Sequence, residues 1–221
     1  KNPGGVESLD KLDYQNYYEL TNRLLLLYNV VTCKKQDKGG RFPFNHFKES
    51  NWSLEHIHAQ NSELLDANKQ ESWKQWIEDN IPVLKNLKKT LSEETEQFNR
   101  IEILIKNLEN SLEKANSKTL KLSYNETLNR FVEVGKFFDD FYQEKNQPSS
   151  VHALSNMALL SSDINSSIGN SVFELKRQAI LAYEAKNAFI PICTKKVFVK
   201  QHNFQEDDYA VQQIYYWGYR D

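Results

Sequence analysis

This chain has almost no cysteine. Cys33 and Cys193 stand far apart and in no CxxC pattern. That excludes a disulfide scaffold and a cysteine-rich zinc site, and it fits a reducing, cytoplasmic setting. The chain also has no surplus of charge. A formal net charge of −2 over 221 residues gives no overall field for nucleic acid, so any phosphate-binding surface must be confined to one face. Long apolar runs are missing too. Nothing approaches the roughly 18 residues that would span a bilayer, so no membrane partner is expected. Leu24 to Leu27 is four leucines within a short amphipathic pattern, not the core of a signal peptide. There is no internal repeat and no low-complexity tract. The first residue is Lys1, in Lys-Asn-Pro-Gly-Gly. Residues 1–12 therefore read as a linker from a missing upstream domain, with one domain expected over 13–221.

What is present suits a packed domain: 39% hydrophobic and 26% charged residues. Asp13 is placed to cap a helix running to about Thr32, with Tyr17, Leu20, Leu24, Leu27 and Val31 as its apolar stripe. Lys34 to Arg41 reads as a polar turn around Gly39-Gly40. Trp52 to His58 reads as a short strand, ending in a loop from Ala59. Residues 70–145 read as helical. Ile101, Leu104, Ile105, Leu108 and Leu112 form one stripe there, and Phe131, Val134, Phe138 and Phe141 another. Pro82 is expected to start a helix, because proline is tolerated in a first turn. A second strand is expected over Leu154–Leu160. Gly169 then breaks the chain, and Ser171 is placed to cap a helix to about Ala185. Lys195 to Lys200 is basic and β-prone. The fold class is therefore α+β, predominantly helical.

The chemistry concentrates in two segments about a hundred residues apart: Trp52-Ser-Leu-Glu55-His56-Ile-His58, and Asn156-Met-Ala-Leu-Leu through Asn165 to Lys176-Arg177. Phosphodiester hydrolysis needs an activated water on one side of phosphorus and charge stabilisation opposite. Neighbouring strand residues point to opposite faces, so Glu55 and His56 could serve opposite sides of one phosphate. His56 is the candidate general base, its ordinary pKa of about 6.5 suiting neutral pH. Glu55 is the candidate metal ligand, with the Asn165 amide oxygen beside it. Hard oxygen ligands favour Mg²⁺ or Mn²⁺ over Zn²⁺. Lys176 and Arg177, early in the last helix, are candidates for DNA phosphate contact.

In this order the segments resemble the HNH (His-Me finger) nucleases. They are most similar to the C-terminal nuclease domain of GmrSD-type, modification-dependent restriction endonucleases. Arg41-Phe-Pro-Phe44, Glu55-His56-Ile57, Asn156 to Leu160, Asn165 to Asn170, Phe173 and Lys176 carry the resemblance. It implies a ββα-metal core built from residues 50–62 and 150–186, with 70–145 as a helical insertion and further helices around it. It also implies a metal-dependent DNA endonuclease in bacterial defence against modified DNA, with DNA and an upstream NTP-binding domain as partners. Asn156 would be the middle asparagine that orients the base. Two positions depart from the family pattern. Ala59 stands where His-x-x-Pro has proline, and Asn165 stands where many members have histidine.

Plainer readings stand beside these. His58 is expected mainly to pack, with a supporting role beside His56 open to it. Of His46, His152 and His202, His152, four residues before Asn156, is the best candidate for a supporting or ligand role. His46 and His202 are surface candidates. Phe42, Phe44, Phe47 and Trp52 read as a small aromatic core more than as a base-stacking platform. Lys195, Lys196 and Lys200 could touch phosphate or simply keep an edge soluble. A nuclease-derived module that binds DNA or a partner domain without cutting is the alternative function.

Overall fold

A computed structural model describes residues 9–36, 41–58, 69–142, 151–169, 171–200 and 214–218. These form a mostly helical α+β arrangement around one two-stranded antiparallel sheet. The elements are α1 (Tyr18–Gln36), α2 (Phe44–Lys48), β1 (Trp52–His56), α3 (Gln70–Lys88), α4 (Glu96–Asn116), α5 (Tyr124–Tyr142), β2 (Met157–Ser161), α6 (Ser162–Ile168), α7 (Phe173–Ala185) and α8 (Ile192–Phe198). No helix among the described residues is long and apolar enough to cross a membrane.

The sheet joins segments that sequence keeps apart. Trp52 pairs with Ser161 and His56 with Met157, which puts Glu55 opposite Ala158. Both strands are shorter than expected. β1 stops at His56, and Leu154–Asn156 is a 3-10 turn feeding β2. All five residues of β2 are buried, because α1, α6 and α8 pack against it. Ile57, Leu160, Ile164, Ile168, Phe173, Ile180 and Phe198 form the core around it.

Between the strands in sequence lie α3, α4 and α5, with their own core. Ile77, Leu84, Leu87, Ile101, Leu108 and Phe137 are fully enclosed there. The expected stripes of α4 and α5 supply much of this core; the side chain of Phe141 lies outside the described residues. Thr95 caps α4, its hydroxyl accepting the Phe98 N–H at 3.2 Å. Pro82 does not start a helix; it lies inside α3. It faces solvent, while Ile81, Val83 and Leu84 beside it are buried. Packing on both sides of Pro82 carries the helix through the missing N–H.

Three further expectations are corrected. Asp13 does not cap α1. Its carboxylate closes a turn by accepting the Asn16 N–H at 2.8 Å, and the helix begins at Tyr18. The expected stripe of α1 is also not the buried one. Leu27 is 56% and Val31 40% exposed, while Thr21 and Asn29 are buried. Asn29 is turned inward because its Oδ1 accepts the Cys193 N–H at 2.8 Å, a polar anchor to α8 that apolar periodicity does not register. Finally, the β-prone Lys195–Lys200 stretch is mostly helix α8. Burial of Phe198 on the ring of Phe173 outweighs local β-propensity.

The expected linker contributes structure from residue 9 on. Leu12 is buried, and Asp13 bridges Ala153. Tyr14 donates its N–H to the His152 carbonyl at 2.8 Å, and Leu154 donates to that of Leu12 at 3.2 Å. This crossing brings the segment before α1 to the end of β1. Residues 1–8 lie outside the described residues.

Candidate active site

β1 sorts its residues between two environments. Ser53, Glu55 and Ile57 alternate with Trp52, Leu54 and His56. His56 lies on the side reached by residues 12–14 and 151–153. Its imidazole packs against Tyr14, with centroids 4.8 Å apart, and its Nε2 is 3.2 Å from His152 Nδ1. One proton is shared between these nitrogens, so in the tautomer where His56 donates, its Nδ1 keeps the lone pair. Burial is the main cause that lowers the His56 pKa to about 4, assisted by the charges of Lys176, His152 and His58. His56 is therefore a neutral imidazole at neutral pH.

Glu55 has a different surrounding. It is 6% exposed, and its Oε1 accepts from the ammonium of Lys176, which is fully buried. The same Lys176 Nζ donates to the His56 carbonyl at 2.7 Å. Burial pushes the Glu55 carboxyl up and the Lys176 amine down, and each partner's charge opposes the shift. Lys176 was expected at DNA phosphate. It points inward from α7 instead, because an acidic partner and a backbone acceptor wait on the strand. Arg177 is turned to its own helix, holding Glu174 with Nε at 2.5 Å and Nη2 at 2.9 Å.

Asn156 grips the segment after His56. Its Oδ1 accepts the His58 N–H at 2.7 Å, and its Nδ2 donates to the carbonyls of His58 at 3.0 Å and Val151 at 2.8 Å. It is completely buried and acts on backbone, not on an imidazole. His58 is buried in turn, with Nε2 2.8 Å from Asp139 Oδ1 on α5. Asn165, on α6, spends its amide N–H groups on Ser53 Oγ at 2.8 Å and the Leu54 carbonyl at 3.3 Å.

The Glu55 half of the expected metal pair does not fit this geometry. The Glu55 carboxylate is enclosed and neutralised by an ammonium, and it projects from the strand face opposite His56. Among the described residues, no group of three or more His, Cys, Asp or Glu side chains is placed to hold a metal ion. No protein-family model, curated protein or solved structure matches this chain. The support for any function is thus what the residues themselves present.

His56 and His152 meet in the structure, and so do Glu55 and Lys176. Asn156 and His58 meet through backbone. His56 is not brought beside the Glu55 carboxylate. Tyr14 and Asp139 went unnoticed in the sequence, and nothing there signals them, since their contacts arise only from the docking of residues 12–14 and of α5. The aromatic residues Phe42, Phe44, Phe47 and Trp52 pack on one another and on Phe189, with Trp52 stacked on Phe47 at 4.5 Å. Lys195 pairs with Glu184. Lys200 is buried, its ammonium 5.3–5.6 Å from the ring centres of Phe173, Tyr216 and Trp217, so it faces an aromatic wall and not phosphate.

Proposed function

We propose that this chain is a DNA endonuclease of the His-Me finger type, with His56 as the general base that takes a proton from the attacking water. One observation carries the reading: an imidazole kept neutral by burial, at the end of a strand, oriented by a second imidazole 3.2 Å away. The order β1, β2, α6 and the clamp of Asn156 on the turn after His56 support it. In this reading His152 fixes the tautomer of His56. The positive charge that His56 gains with the proton is spread towards His152. Mg²⁺ or Mn²⁺ dependence enters by resemblance to the HNH nucleases, and no ligand for the cation is assigned. A place in bacterial defence, with an upstream NTP-binding domain that licenses cutting of modified DNA, belongs to the same proposal.

A second reading has its own observation. The enclosed Glu55–Lys176 pair leaves the expected metal ligand committed, as a nuclease-derived module that binds DNA without cutting would have it. A plasmid-nicking assay with Mg²⁺ or Mn²⁺ separates the two. It compares the parent protein with His56→Ala on modified and unmodified DNA, with and without nucleotide. The endonuclease reading expects cutting that drops by about 100-fold or more in the variant. A folded protein that binds DNA and never cuts it favours the binding module.

A further inference from the structure

We infer that Glu55 and Lys176 are positioning residues for His56, a buried brace that sets the end of β1, and not a metal ligand and a phosphate contact. The inference rests on the endonuclease reading for its catalytic consequence. Its structural half stands on the contacts alone.

Lys176 reaches its place from the first turn of α7, 120 residues beyond the strand it holds. Its ammonium has two partners on consecutive residues of β1: the Glu55 carboxylate and the His56 carbonyl at 2.7 Å. The Glu55 side chain precedes the His56 Cα, and the carbonyl belongs to the peptide unit that follows it. Fixing both restrains the backbone on either side of the His56 Cα, and with it the direction in which the His56 side chain leaves the strand. A lysine can do this because its compact ammonium offers several donors at once. Neither group is open to a ligand, since Lys176 is fully buried and Glu55 is 6% exposed. Asn156 completes the arrangement from the other end by holding both backbone groups of His58. The base is thereby bracketed, with Lys176 at residues 55 and 56 and Asn156 at residue 58.

The proposal predicts different behaviour from the two roles it replaces. Removing a metal ligand weakens the cation's half-saturation, and removing a phosphate contact raises KM and flattens the salt dependence. Removing a brace lowers kcat, while KM and the metal requirement hold. Charge burial adds a second signature. Either single change strands a charge, whereas an apolar pair strands none.

The test uses the parent protein, its Glu55→Leu and Lys176→Met variants and the double variant. Melting temperature, Mn²⁺ binding by calorimetry and plasmid nicking are read on each. The double variant is expected to melt above either single variant. It is also expected to bind Mn²⁺ like the parent, and to cut with kcat lowered about tenfold or more at a KM within about twofold. Additive losses in melting temperature would overturn the brace. So would a tenfold loss of Mn²⁺ affinity in the double variant, which makes Glu55 a ligand. A raised KM with a reduced salt slope in the double variant would return Lys176 to phosphate and equally overturn it. If the parent protein itself does not cut, the endonuclease reading fails, and the melting comparison still decides whether the pair is a brace.

Discussion

The helices between the strands and the core around the sheet are built on different principles. In α3, α4 and α5 the hydrogen bonds that buried polar groups make are close by, and the buried Asn80 Oδ1 and Arg130 Nε have no hydrogen-bond partner among the described residues. Asn80 donates to the Trp76 carbonyl and Thr127 to that of Ser123, each four residues back, and Ser111 bonds Glu126 across a helix pair. Around the sheet they are satisfied across the chain. Lys176 bonds Glu55 and Asn156 holds His58. Asn165 bonds Ser53, and Cys193 bonds Asn29. A region held by local bonds and apolar stripes tolerates polar change at its surface. A region held by enclosed, long-range polar bonds does not, because each lost partner leaves a desolvated group behind.

The most severe way to test that contrast is to break the pair at its centre. Lys176→Met should destabilise by about 3–5 kcal/mol, because it strands a buried carboxylate. Chemical denaturation would measure it, and a loss below about 1 kcal/mol would place the pair with ordinary surface bridges. In the helical region the comparable loss should come from apolar volume instead. Leu108→Ala is expected to cost about 2–5 kcal/mol by leaving a cavity in a fully enclosed position.

Acid should separate the regions next. His56 is neutral and half-buried in the fold, with a pKa of about 4, against an ordinary value of 6.5 in the unfolded chain. Protons therefore bind the unfolded chain first. The stability that this group contributes is intact above pH 6.5 and is lost as pH falls through 4, up to about 3 kcal/mol. His56→Gln should flatten that part of the pH–stability curve. An unchanged curve would mean that the imidazole takes up a proton as readily in the fold as in the unfolded chain. In activity, the same depression predicts that the acid limb of kcat/KM lies well below 6.5.

The smallest effect should come from a charge pair on the helical region. Lys85 and Glu109 are 2.6 Å apart, with side chains 52% and 44% exposed. Lys85→Ala is expected to cost less than about 1 kcal/mol. A cost like that of Lys176→Met would erase the distinction between the two regions.

Legibility in the sequence follows the same division. The stripe Ile101, Leu104, Ile105, Leu108 is an apolar period of 3.6, and it buries as that period requires. The strand pairing partners were legible as short apolar runs, but their ends were not, since the turn at Leu154–Asn156 is set by contact with residues 12 and 153. Pro82 and the α1 stripe misled for one reason: tertiary contacts overrode a local rule. Lys176 was legible as a basic residue on a helix. Its inward direction was not, because that depends on which residue of β1 waits opposite.

Residue types, their order and the apolar periods were enough to determine a mostly helical α+β chain, and the two short segments offered Glu55, His56, His152, Asn156, Asn165 and Lys176 as candidates. Composition also sufficed to exclude a disulfide scaffold. Only the tertiary structure decided which of these residues meet. It put His56 against His152 and Tyr14, and it enclosed Glu55 with Lys176. The physical reason is that a charged side chain takes its role from its dielectric surroundings and its partner. Both are set by segments some 120 residues away, where no local pattern reaches.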